Sequence, residues 1–282
     1  MAAPTLPELQ LTVSPPRSGP AATQSTAARR RSGNCKVAGV LLSLAGAAIL
    51  MGFITAEALY PGVYTTHTNT VSHLGASEPP NSVVLQPSAA IFDITMLVTG
   101  AMILAGAWFA YRALRRRAVL IPTALLGIGT LGVGVFPLTH PAPHTLFAFT
   151  AFLAGGIAVV LSSRVTTAPF RFLWTVLGAI ALGATVLALD AFRSWAPMVE
   201  LGEGGLERWI VYPIVLWLVA FGSYLLAIAN PTDARNPAGT ERSCGRLTCR
   251  GGCMPNRRHG NRNDELQGER RGRSHRHAAG SE

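Results

Sequence analysis

Four histidines and seven carboxylates lie between Lys36 and Asn230, and they are the side chains there with the widest chemical scope. The tightest local grouping is His140-Pro141-Ala142-Pro143-His144. Proline is tolerated in the first turn of a helix, where its missing N–H costs nothing. With His140 at the cap, both prolines fall in that turn and His144 follows one turn later on the same face. Two imidazoles so spaced can share a metal or relay a proton, which makes His140 and His144 candidates for both roles. The plainer reading is a proline-rich turn with two solvent-facing histidines. Asp93 stands about one turn inside an apolar run, where an ionisable group needs a partner from another element. Asp190 has a local partner in Arg193, three residues on. With His73, these residues complete the catalytic candidates His140, His144, Asp93 and His73.

Glu207-Arg208 can be read two ways. Adjacent positions on a helix do not face each other, so Arg208 pairs instead with Tyr212 at i+4. Glu207 is placed to meet Arg193 or His73. Glu207, Arg208 and Tyr212 then form either a structural clasp or a headgroup site in which Arg208 holds a phosphate. Further on, Cys244, Cys249, Cys253 and His259 have the spacing C-x4-C-x3-C-x5-H. Zinc accepts all four, but the tight C-x2-C knuckle is missing and no apolar residues surround them to fold around a metal. Reduced cytosolic thiols are the expected state. No motif names a cofactor or a protein partner.

The elements that must position these groups are six apolar stretches: Val37–Tyr60, Ser88–Tyr111, Ala118–Leu138, Pro141–Ser163, Phe172–Phe192 and Trp209–Ala229. Each supplies roughly the 20 apolar residues that a helix needs to cross the hydrocarbon layer. The chain therefore reads as an all-α polytopic membrane protein, a bundle of six transmembrane helices over residues 36–230. Residues 1–35 and 231–282 are expected to be disordered, since they are too polar to bury a core. The first stretch resembles a signal peptide in its basic start and its Ala56-Glu57-Ala58, but its apolar core is too long for one. Trp108, Tyr111, Trp174, Trp209 and Tyr212 sit near span ends as expected interfacial anchors, and the many glycines suit close helix packing.

A formal charge of +10 raises the question of nucleic acid, but its distribution answers to a membrane. Arg29, Arg30, Arg31 and Lys36 precede the first span; Arg112, Arg115, Arg116 and Arg117 fill the second loop; Arg164 and Arg171 bracket the fourth. Loops one and three have no Lys or Arg. Basic residues stay cytoplasmic, so both termini are expected in the cytoplasm of a plasma-membrane protein, with loops one, three and five outward. The basic tail is expected to touch lipid headgroups rather than nucleic acid.

Several segments resemble a bacterial membrane-protein family catalogued as domain of unknown function 998. They are Thr70-Val71-Ser72-His73-Leu74-Gly75-Ala76, Phe92-Asp93, Gly100, and Phe136-Pro137. His144 with Phe149, Phe152 and Gly155-Gly156 follows, then Gly204-Gly205-Leu206-Glu207-Arg208-Trp209-Ile210-Val211-Tyr212-Pro213 with Trp217 and Gly222. The resemblance spans about Val37–Ala229 and implies six or so spans without implying an activity. Where the family pattern has Asp after the loop-one serine, this chain has His73, which cannot supply its negative charge. Function thus reads as binding or scaffolding at the envelope. The alternative is an enzyme acting on lipid or lipid-linked substrate at the outer leaflet. A transporter fits less well, because no charge lies near mid-span and no inverted repeat is evident. The site hypothesis is that His140, His144, Asp93, His73 and Glu207 with Arg208 converge at the outward mouth of the bundle.

Overall fold

A computed structural model describes residues 20–189 and 196–230. The helices are α1 (Pro20–Ala58), α2 (Ser88–Leu114), α3 (Arg117–Val135), α4 (Pro141–Ser162), α5 (Phe170–Leu187) and α6 (Ala196–Ala229), with a short 3-10 turn at Val71–Leu74. No strand occurs among the described residues. All six helices are long and apolar enough to cross a membrane.

Short connections force consecutive helices to be antiparallel neighbours. Each helix packs on the next, and α6 returns to α1 and closes the ring. The ends sort accordingly. Ser32 Oγ, early in α1, donates to the Ala229 carbonyl at the end of α6 (2.8 Å). The opposite ends of the same two helices meet through Arg208 and Glu57. Connections one, three and five therefore share one end of the bundle, called here the odd end.

Within a bilayer the gain from association comes from close packing, so small residues mark the seams. At the α1–α6 seam, a Cβ on Gly222 would sit 2.6 Å from both the Gly39 carbonyl oxygen and the Ser43 backbone nitrogen, closer than any real side chain allows. Ser43 Oγ donates across this seam to the Val219 carbonyl (3.1 Å). Between α4 and α6, the buried Trp217 Nε1 donates to Ser162 Oγ (3.1 Å).

Several boundaries differ from expectation. Helix α1 begins at Pro20, inside the arm expected to be disordered, because PAATQSTAARRR holds good helix formers that extend an existing helix without a new nucleus. Helix α3 stops at Val135, two residues before Pro137, which disfavours helical geometry at Phe136. Helix α5 ends at Leu187 rather than Phe192. Helix α6 starts thirteen residues before Trp209, at Ala196, with a break at Gly202 (φ 72°, ψ 162°). Glu203 and Glu207 therefore ride on a helix and not on a loop, and Glu200 lies on the helical piece before the break. Trp174 is not an interfacial anchor: it is fully buried and stacks on Phe170 at 5.7 Å. Trp108 and Trp209 are half exposed, as anchors are.

Candidate functional site

Two polar constellations share the odd end. The first ties loop one to α6. Arg208, only 8% exposed, reaches from α6 into the loop. Its Nη1 donates to the carbonyls of Asn69 (2.9 Å), Thr66 (3.2 Å) and Gly204 (2.9 Å). Its Nη2 donates to Glu57 Oε1 (2.5 Å) at the end of α1 and to the Tyr64 hydroxyl (2.8 Å). Tyr64 passes the bond on, donating to the Thr70 carbonyl (3.0 Å). Burial pushes the Tyr64 phenol above the usual tyrosine range, against the pull of Arg208. The loop needs this anchor because its carbonyls turn inward with no helix or sheet to satisfy them. Gly204 makes the contact possible: its N–H donates to the His67 carbonyl (3.0 Å), and a side chain there would strike the loop backbone.

Glu207, the next residue, takes the start of the 3-10 turn. Its carboxylate accepts from the Val71 N–H, from the Ser72 N–H (3.5 Å) and from Ser72 Oγ (2.9 Å). Unpaired N–H groups at a helical start attract an anion, and a side chain from a distant helix supplies it here.

The second constellation is a cavity of about 760 Å³ between loop one, α4, the end of α5 and α6. Its polar wall carries His73, Glu78, His144, Glu203 and Glu207, and its apolar wall includes Phe149, Phe152, Leu187 and Ile210. Among the described residues no Lys or Arg lines it. A smaller apolar chamber of about 70 Å³ lies against it, sharing Ser72, Ala148, Phe152 and Glu207. His144 is 3% exposed, and its Nδ1 lies 2.8 Å from the Phe136 carbonyl oxygen. A carbonyl only accepts, so Nδ1 carries the proton and Nε2 holds a lone pair. That buried Nε2 has no hydrogen-bond partner among the described residues. His73, 7% exposed, has the opposite tautomer, because its Nδ1 accepts the Thr70 N–H (3.2 Å) and leaves the proton on Nε2. Both His73 and Glu207 lie close enough to His144 to act on it electrostatically.

The sequence matches the family described as Protein of unknown function (DUF998) over residues 43–224. The chain belongs to this family. No curated protein and no solved structure matches it. The matched DUF998 region contains both constellations, from Glu57 through Tyr212. The family resemblance at loop one also gains a physical sense. An aspartate at position 73 would accept the Thr70 N–H as a capping carboxylate does, and His73 Nδ1 performs that task without charge.

Of the residues singled out from sequence, the fold brings His73, His144 and Glu207 to one cavity. His140 occupies the N-cap position of α4, ahead of both prolines, but its ring is exposed, lies 3.1 Å from Thr139 Oγ1 and does not line the cavity. Asp93 does not join them either. It is half buried, its Oδ1 has no hydrogen-bond partner among the described residues, and it packs against Gly75 outside the cavity wall. Arg208 stays out of the cavity, and its Nη1 and Nη2 are committed to protein acceptors, which leaves none of their hydrogens for a phosphate. Tyr212 lies beside Arg208, as the i+4 spacing predicts. Among the described residues no group of three or more His, Cys, Asp or Glu is placed to hold a metal ion. Asp190, Arg193, Cys244, Cys249, Cys253 and His259 lie outside the described residues. Sequence reasoning missed Tyr64 and Ser72 as partners of Arg208 and Glu207, since nothing in loop one marks which residues fold back on α6.

Proposed function

We propose that this membrane protein is a binding protein that seats the head of an amphiphile in the odd-end cavity. The observation that carries this reading is the pairing of a roomy, half-apolar cavity with a buried wall histidine whose Nε2 lone pair has no partner among the described residues. A purely structural histidine would have both ring nitrogens satisfied. The apolar wall continues from the apolar faces of α4 and α6, which suits an alkyl chain. The distribution of arginines supports an outward odd end with both termini cytoplasmic.

The test is native mass spectrometry of the full chain released from nonionic detergent. The wild type is expected to retain a lipid-sized adduct. Thr145→Trp, at an exposed α4 position on the cavity wall, fills the space and is expected to lose it. Equal adducts in both proteins would overturn the reading. Orientation is checked with Val63→Cys in loop one and Thr167→Cys in loop four, each in a background without other cysteines. An impermeant thiol reagent added to intact cells should label the first and spare the second.

An enzymatic role is the second reading, favoured by one feature. His144 lines the cavity, and its Nδ1 is held by the Phe136 carbonyl, which leaves a basic lone pair on Nε2.

A further inference from the structure

The small chamber beside the cavity lies inside the ring of helices. Helices α1, α2, α3, α4 and α6 line it together with the 3-10 turn, through residues that include Phe53, Met96, Leu126, Ala151 and Leu218. Along α6 its wall runs from Glu207 to Leu218, about 16 Å of helix. Three polar side chains line it among the described residues, and each is already committed to the protein. Thr130 Oγ1 donates to the Leu126 carbonyl (2.9 Å), Ser72 Oγ donates to Glu207, and the Glu207 carboxylate also accepts the Val71 N–H. The rest of the wall is hydrocarbon, so water in the chamber would find too few partners and the space suits an apolar group. Ser72, Ala148, Phe152 and Glu207 stand between chamber and cavity, since each lines both.

Resting on the amphiphile reading above, we propose that the chamber takes the end of a single alkyl chain whose head sits in the cavity. The chain enters past Phe152. Ser72 and Glu207 are held by their bonds and Ala148 is small, so the partly exposed Phe152 ring is the side chain whose turn joins the two spaces. A tail in the bilayer is already among hydrocarbon, so moving it inward gains nothing from leaving water. It gains contact with walls that otherwise face empty space. An apolar cavity of about 150 Å³ takes up benzene. This one is about 70 Å³ and therefore admits the last carbons of one chain. Such a site favours a single-chain amphiphile whose tail end is unbranched.

The probe is dodecyl maltoside with a diazirine on the last tail carbon, added to the full-length protein in nonionic detergent. Bound probe is counted by native mass spectrometry, and after irradiation the labelled residues are located by peptide mass spectrometry. Exposed residues such as Leu153 and Leu216 are labelled in any case by probe in the micelle. A second, inner set of labels is expected on Met96, Leu126 or Leu218, all buried. Val133→Leu combined with Val215→Leu fills the chamber from α3 and α6 and should lower the inner set about tenfold against the outer one. Val215→Leu alone should move the same way by less. Bound probe that labels only the outer set, or an inner set indifferent to the filling, would overturn the chamber assignment and leave amphiphile binding intact. Absence of bound probe would overturn the binding reading beneath it.

Discussion

The clasp around Arg208 and the cavity around His144 stand side by side at the same end of the bundle, and both are built from buried polar side chains. They differ in how completely those side chains are paired. Arg208 makes five hydrogen bonds from Nη1 and Nη2, to two loop-one carbonyls, to Tyr64, to Glu57 and to Gly204, and only its Nε is left over. His144, on the cavity wall, makes one side-chain bond among the described residues and has a buried Nε2 with no partner among them. A nearly satisfied buried network rigidifies the fold, whereas a buried polar group left without a partner beside a cavity is where a ligand gains most. The comparison separates a structural use of polarity from a binding one, and Glu207 lies on the boundary, capping the loop with its carboxylate while lining the cavity.

Substitutions in the two regions should therefore act on different observables. The largest effect is expected from Glu57→Ala, which strands the Arg208 charge. The pair is well shielded, with 9% and 23% of its side chains exposed, so the loss should be about 3–5 kcal/mol in unfolding of the detergent-solubilised protein. Next comes Glu207→Gln, which weakens the charge-assisted bonds to Val71 and Ser72 and should cost about 1.5–3 kcal/mol. Because Glu207 belongs to both regions, this variant should also reduce ligand adducts. His144→Leu forfeits a single bond to the Phe136 carbonyl, about 1 kcal/mol, yet should abolish the adduct. If His144→Leu destabilises the protein as much as Glu57→Ala, the distinction between the regions collapses.

The smallest expected effect is a pH dependence of the clasp. The Tyr64 pKa is raised by burial, so the folded state binds the phenolic proton more tightly than the unfolded state does. Its contribution is fully present below the ordinary tyrosine pKa, roughly 10, and is lost as pH rises beyond it. Tyr64→Phe should make the alkaline decline in melting temperature shallower. An unchanged decline would mean that Tyr64 stays protonated or accessible in both states.

Much of the frame can be read from the residues. Membrane solvation sets a cost along one dimension, so six apolar runs separated by short loops imply six helices whatever their neighbours are. The same cost, together with the Arg-free loops, brings the histidines and carboxylates of the described membrane unit to the ends of the helices. The position of His140 before two prolines specifies the start of α4 from local sterics alone.

Partner choice is decided at another level. Asp93 and His144 both sit near the odd end of an apolar helix, yet only His144 lines the cavity, while Asp93 abuts Gly75. The difference arises from the rotation of α2 and α4 about their axes, which the ring of seams sets and hydropathy does not. Trp174 looks like an anchor in sequence and is core in the fold for the same reason. Glu207 and Arg208 are adjacent in sequence but face different surroundings, because a helix turns about 100° per residue and loop one crosses α6 between them. Composition and spacing thus determined how many helices there are and which end is acidic. The tertiary structure decided which polar groups are paired and which line the cavity, since pairing depends on where a distant loop folds back and that path is fixed by packing.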